Sequence, residues 1–457
     1  MKFFNPEKHS IPLNSLEKFM LAHESEHVAY NSQIVVEFNG QLKLQNLRFA
    51  IDKAIEEIPL MRSHIEETFF KFKRFYRNQA DFQSEHVIEV SENILTQSMI
   101  DQFCQTKFDL SKAPAFKFLI GKTTDFKNIL IFNVHHTLCD AVGHFHLLEE
   151  IFRAMNGMAI RDNAKSTDVF RYRSLWKYMG WKWFFANLYA HLRPSGKQRQ
   201  YKMATLIDHH DKPERFVTST TVYFSQEQQE TLRNACKKLN ISINEYLTFC
   251  SFKALDLSLK DRGDFKTPIM TYLPKTLRPL LKIRYSLNNI LSTVWIVGKR
   301  DEIHNPQFLE KIKHTINSHK MNKAAKFIFG TLSLSILLRP KKLKSLFQNF
   351  DQDTQSITSS LLISTGKVPR SFIFPEGWSE INVWARGTML KSPGVGVIFT
   401  GVAGAETLTI EYLKDLTDKS TIDNFKKHLL NTLLQSEERS IEPMKNHIQE
   451  DLHSIMQ

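Results

Sequence analysis

One stretch constrains this chain more than any other: Ile129-Leu130-Ile131-Phe132-Asn133-Val134-His135-His136-Thr137-Leu138-Cys139-Asp140-Ala141-Val142-Gly143. A strand-length apolar run ends in paired histidines, Asp140 follows, and a helical pattern opens at about Gly143. An apolar run of this length reads as a buried strand, and strand-to-helix junctions are where open α/β sheets present groups to ligands. Adjacent side chains on a strand point to opposite faces, so His135 and His136 cannot both face one cleft. One is expected to do chemistry and the other to pack. An imidazole is largely neutral at pH 7 and can take a proton from a hydroxyl or an amine. Asp140 either orients that imidazole, as in a triad, or braces the loop by pairing with an arginine.

The rest of the chain alternates strands and helices. Leu13–Ala22 reads as a helix capped by Asn14 or Ser15, Gln33–Phe38 as a strand, and Leu42–Ile58 as a helix closed by Pro59. Strands are expected at Val87–Val90, Ala115–Ile120 and Ile129–Val134, and a helix at Gly143–Met155. A second series begins with a strand at Thr218–Phe224, helices at Glu227–Ala235 and Ile243–Ser258, and strands at Pro268–Tyr272 and Ser292–Val297. A helical region over Asn305–Phe347 precedes a β-rich end: Ser356–Ser364, Glu380–Ala385, Gly394–Thr400 and Thr407–Tyr412, then a helix near Thr421–Leu434. The fold class is therefore α/β, in the α+β two-layer sense. A length of 457 residues suits two lobes, divided as 1–165, a basic aromatic segment and linker over 166–213, and 214–457.

The formal charge of +13 is local. From Arg171 to Met203 there are eight basic residues and no acid, and from Met321 to Phe350 six and no acid; without these the net charge is −1. Local positive charge implies an anionic partner. Lys341, Lys342 and Lys344 of the second segment are candidate anion-binding residues. The first segment also holds Trp176, Trp181 and Trp183. Three readings fit it: a helix packing its aromatic face with a solvated basic back, contact with a membrane or lipid substrate, or stacking on single-stranded nucleic acid. No nucleic-acid motif accompanies the last, so no nucleic-acid partner is expected.

Four scattered cysteines without a CxxC pair suit a reducing compartment. The N-terminus lacks the apolar run of a signal peptide, and the longest nearly apolar run, Phe327–Leu338, is too short to span a bilayer. The expected location is cytoplasmic, with peripheral membrane contact through the basic aromatic segments. His144 and His146 lie two apart on a helix and point in different directions, so no metal site is expected. His209-His210-Asp211 lies in a polar linker and reads as solvated. Gly394-Val395-Gly396 with Gly401 suits a hairpin or close backbone contact rather than a dinucleotide loop. Cys139 reads as a small buried hydrophobe rather than a nucleophile.

The stretch from His135 to Gly143 resembles the HHxxxDG motif of the CoA-dependent acyltransferase superfamily, which includes chloramphenicol acetyltransferase, nonribosomal-peptide condensation domains, polyketide-associated acyltransferases, wax ester synthases and plant BAHD enzymes. Pro12-Leu13-Asn14-Ser15-Leu16-Glu17-Lys18-Phe19-Met20 is similar to the family's opening helix, and Ala54–Arg62 to its HPxLR stretch. Phe108-Asp109-Leu110 with Ala113-Pro114 is similar to the strand entry before the motif. Tyr272-Leu273-Pro274-Lys275-Thr276-Leu277-Arg278-Pro279 and Leu287-Asn288-Asn289 resemble the VDLRP and GN stretches of the second lobe. The order of these pieces carries the resemblance. There is no DFGWG and no clear PLW, which argues against the BAHD and wax ester branches.

The resemblance implies two chloramphenicol-acetyltransferase-like lobes in a V with a central tunnel. It implies His136 as general base, with His135 beside it in the motif, and Asp140 as a structural brace whose partner is Arg278. It implies acyl transfer from a thioester, acyl-CoA or an acyl-carrier protein, to a hydroxyl or amine on a small-molecule or lipid acceptor, with no cofactor beyond that co-substrate. A freestanding enzyme is expected, with amide formation in a peptide-like pathway as the alternative acceptor chemistry. A catalytically silent condensation-like binding protein is the alternative class. The motif's glycine is Ala141 here, so the turn after Asp140 is expected to differ in shape.

Overall fold

The computed structural model describes residues 11–25, 29–69, 71–76, 83–112, 114–165, 203–209, 216–279, 281–318, 339–345, 359–367, 372–402 and 405–435. Its first half runs β1 (Ile11–Pro12), α1 (Ser15–His23), β2 (Asn31–Asn39), α2 (Leu44–Glu57), β3 (Ser63–Glu67) and β4 (Phe72–Tyr76). It continues through β5 (Ile88–Ile94), α3 (Gln97–Cys104), β6 (Phe116–Lys122), β7 (Asn128–His135) and α4 (Ala141–Met155). The second half supplies strands β8 (Val217–Tyr223), β9 (Ile269–Thr276), β10 (Leu291–Gly298), β11 (Leu361–Lys367), β12 (Ser379–Arg386), β13 (Val395–Val402) and β14 (Ala405–Leu413). Its helices cover Gln226–Lys238, Ile243–Asp261, Pro306–Asn317 and Lys419–Leu434.

Local chemistry fixes where several helices begin. Asn14 caps α1, accepting from the Glu17 N–H at 2.8 Å while Glu17 accepts back from the Asn14 N–H at 3.0 Å. Ser225 and Ser242 form the same reciprocal box with Gln228 and Glu245. In α2 the stripe Leu47, Ala50, Ile51, Ala54 and Ile55 is fully buried, and Pro59 follows its end.

Two large sheets organise the molecule, with strand orders β12-β2-β7-β6-β5 and β10-β9-β11-β13-β14-β8, beside a small sheet β1-β4-β3. One core lies between the five-stranded sheet and α2 and α4, where Ile34, Val36, Leu130, Phe132 and Phe118 meet Leu47, Ile51, Leu148 and Phe152. The other lies between the six-stranded sheet and the helices of the second half, where Leu273, Val397 and Ile410 meet Phe252, Phe308 and Phe425. The six-stranded sheet thus carries helices on one face. The five-stranded sheet has α2 and α4 on one face and α3 on the other, where Ile100 and Phe103 meet Val35, Leu119 and Ile131. This is the mixed α/β class expected from the alternation of elements.

Three features differ from the sequence reading. β12, which the division at 214 puts in the second lobe, pairs antiparallel with β2 and so completes the first sheet. Local pattern cannot reveal such a crossover, since strand period says nothing about partners. The hairpin β3–β4 and helix α3 were not expected; β3 and β4 are short and mix charged with apolar positions. β9 runs on to Thr276, past the expected end at Tyr272, and this brings Arg278 to the motif. The first basic segment, up to Lys202, and most of the second lie outside the described residues.

Candidate active site

β7 ends at His135, a turn follows over His136–Leu138, and Asp140 caps α4 by accepting from the Gly143 N–H at 2.9 Å. The helix starts at Ala141, two residues before the expected Gly143. Ala141 is exposed and simply occupies the first helical position. The glycine that matters is Gly143. A Cβ there would stand 2.6 Å from the Leu287 carbonyl oxygen and 2.9 Å from its carbon.

A Gly-to-Ala change inside a helix ordinarily gains about 1 kcal/mol. Here the clash reverses the sign: Gly143→Ala is expected to destabilise by about 1–3 kcal/mol, read as a lowered midpoint in urea.

His135 is fully buried. Its Nδ1 accepts from the Thr137 N–H at 3.2 Å, which leaves the proton on Nε2, 3.1 Å from Glu24 Oε1. His136 is half-buried, with Nδ1 inside. Burial pushes its imidazole below the ordinary histidine value, and the Asp140 charge and the Asn289 amide only partly offset this. The ring is therefore neutral at pH 7 and competent to accept a proton.

The backbone of the turn is held from several elements. The His136 N–H donates to the Tyr30 carbonyl at 2.6 Å. Asn289 Nδ2 donates to the His136 carbonyl at 2.9 Å, and Arg74 Nη2 to the Thr137 carbonyl at 2.7 Å. Arg74, on β4, is 1% exposed, and buried Glu17 of α1 lies 4.0 Å from its Nη2. Glu24 and Arg74 escaped the sequence reading because each sits in an ordinary charged stretch. Only tertiary contact makes them part of the site.

Asp140 pairs with Arg278 through both oxygens, Nη1 to Oδ2 at 2.7 Å and Nη2 to Oδ1 at 2.9 Å. Oδ2 also accepts from the Ile290 N–H at 2.8 Å. Arg278 Nη2 donates further to the carbonyls of Ser286 and Asn288, at 2.9 and 2.8 Å. These bonds tie the start of α4 to the segment between β9 and β10. In this geometry the Asp140 carboxylate is bonded to Arg278 and to the N–H groups of Gly143 and Ile290.

The remaining candidates fall elsewhere. Lys341 and Lys342 are exposed, while Lys344 pairs with Glu67 and lies 5.8 Å from the Phe72 ring centre. His144 is buried against Ser32 Oγ and Phe132 and is pushed down to about 3 by burial, a neutral packing residue. His146 lies against Tyr285. Among the described residues no group of three or more His, Cys, Asp or Glu is placed to hold a metal. His209 pairs with Asp418 at 3.1 Å, while His210 and Asp211 lie outside the described residues.

Residues 7–256, more than half of the chain, match the Condensation domain family. This chain belongs to that family. Gramicidin S synthase 2 of Brevibacillus brevis is 28% identical over 152 residues, covering 33% of this chain and 3% of that protein. Bacitracin synthase 1 of Bacillus licheniformis is 23% identical over 144 residues, covering 30% of this chain and again 3% of the relative. The chain thus spans about 3% of the curated relatives it matches. The epimerization domain from the third module of tyrocidine synthetase B shares the fold at a TM-score of 0.63, with 16% identity and coverage of 93% and 97% of the two chains. Trichothecene 15-O-acetyltransferase from Fusarium sporotrichioides does so at 0.62, with 12% identity and coverage of 92% and 94%. The suspected superfamily is the one found, and the condensation branch is the one matched. No helix among the described residues is long and apolar enough to cross a membrane.

Proposed function

We propose that this condensation-family chain transfers an acyl group from a thioester, carried by CoA or by a carrier protein, to an amine or hydroxyl, with His136 as general base. The observation that carries the reading is His136 itself, a neutral, half-buried imidazole on a turn held by Tyr30, Asn289 and Arg74. The acceptor's proton passes to the ring as its N or O attacks the thioester carbonyl. The C–S bond then breaks, and the thiolate leaves with the proton returned by the imidazolium. No covalent acyl-enzyme is required. A carrier protein as donor fits the peptide-synthetase relatives, and the lipid-like acceptor rests on the basic aromatic segments of the sequence.

Incubation with a panel of acyl-CoA and acyl-carrier donors, with amine and alcohol acceptors, tests the reading through acceptor-dependent release of free thiol. Absence of release from both donor types overturns it. The pH profile adds a second test. Because burial lowers the His136 value, the base stays unprotonated below the usual histidine range. kcat/KM is expected to hold level through neutrality and to fall only on an acid limb lying below about 6.5.

A further inference from the structure

Beside the histidine turn lies a cavity of about 70 Å³ whose wall includes Asn31, Cys104, Gln105, Lys107, Arg386 and Gly387. It adjoins the motif directly, since Asn31 pairs with His135 across the β2–β7 ladder. Asn31 is 3% exposed. Its Nδ2 donates to the carbonyls of Cys104 and Thr106 at 3.0 and 2.7 Å, which fixes the orientation of the amide. Its Oδ1 is buried and has no partner. An acceptor left bare in this way is costly unless a donor arrives.

Arg386 of this wall serves two carboxylates, Asp101 and Glu411, neither of which lines the cavity itself. Arg386 Nη1 lies 2.6 Å from Asp101 Oδ1, and its Nε 3.2 Å from Glu411 Oε1. All three side chains are buried. Asp101 also accepts from Thr218 Oγ1 at 2.6 Å, and Glu411 from the Gly387 N–H at 2.9 Å. With both acids ionised the cluster carries one surplus negative charge. Cys104, pushed up to about 12 by burial, stays a neutral thiol, and burial keeps the Tyr272 hydroxyl protonated as well. Lys107 is the opposing cation, but it is exposed and its field is screened by salt.

We propose that this cavity is a subsite for a primary ammonium group carried by one of the substrates. The group would donate to Asn31 Oδ1 and supply the positive charge that the Arg386 cluster lacks. A protonated amine has no free electron pair, so the group held here is not the one acylated. The subsite reads a second, cationic group of the substrate. As a statement about a substrate this rests on the acyl-transfer reading; as a statement about binding it does not. The volume, roughly two water molecules' share, admits a group of only a few heavy atoms.

The test is an NMR titration of the full chain with ethylammonium and, separately, with ethanol of the same size. Ethylammonium is expected to bind and ethanol to bind far more weakly. Burial raises Glu411 to about 7 and Arg386 only partly opposes it, so the cation binds the form that has lost its proton. The apparent affinity should therefore rise by up to about tenfold from pH 6 to pH 8. Glu411→Gln should remove that pH dependence, and Lys107→Ala should tighten binding at low salt without need of the buried substitution. Equal binding of the two probes, no binding of either, or an affinity unchanged between the two pH values overturns the proposal. Binding of ethylammonium by a chain that transfers no acyl group supports the subsite and counts against acyl transfer.

Discussion

Replacing His136 with alanine is expected to lower single-turnover acyl transfer by about 10²–10⁴-fold, the usual share of a positioned general base. The loss should fall on kcat rather than on donor binding, because the imidazole acts on the acceptor's proton and not on the donor's carrier. The turn itself should survive, since its backbone is held by Tyr30, Asn289 and Arg74 and not by the His136 side chain. A variant that melts like the parent and transfers no acyl group is the expected result. Near-normal transfer by the variant would remove His136 from the mechanism. His135→Ala is expected to behave differently. It opens a cavity and leaves Glu24 and Thr137 without their ring partner, so it should lower stability first and activity through it.

Breaking the buried Asp140–Arg278 pair is expected to be strongly destabilising. Both side chains are buried, and Arg278→Met would leave Asp140 charged with only the N–H groups of Gly143 and Ile290. Removing one partner of a buried pair typically costs about 3–5 kcal/mol. Chemical denaturation measures this directly. Asp140→Asn should be milder, because an amide oxygen can keep the cap on α4 while the guanidinium retains the carbonyls of Ser286 and Asn288. A loss below about 1 kcal/mol in Arg278→Met would show that the pair does not join the two segments energetically.

The family assignment also bears on the alternative of a silent binding protein, which Ala141 made conceivable. Ala141 stands exposed at the start of α4, while Gly143 keeps the close approach to Leu287. The motif's turn is thus compatible with an ordinary helix start, and the substitution by itself gives no reason to expect an inert site.

Much of this was legible in the order of residues. An apolar run flanked by turn signals reads as a strand whatever surrounds it, because side-chain period and burial are local properties. For that reason β7, α2, α4 and most second-half strands appear where pattern puts them, and the histidine pair marks its own junction. The resemblance supplied the pairing of Asp140 with Arg278, which lie 138 positions apart. No local rule connects them. Nor could pattern foresee that β12 would leave its neighbours to complete the first sheet, or that Arg74, in a short charged strand, would be buried against the Thr137 carbonyl.

The sequence alone determined which elements form and which imidazoles stand at the strand's end, since propensity, capping and periodicity act over a few residues. Only the tertiary structure decided which histidine is sealed and which is half-open, and which acid finds an arginine. It also decided where an acceptor oxygen is left bare beside a surplus of buried charge. Those outcomes depend on desolvation and on partners brought together from distant positions, and both exist only once the chain has closed on itself.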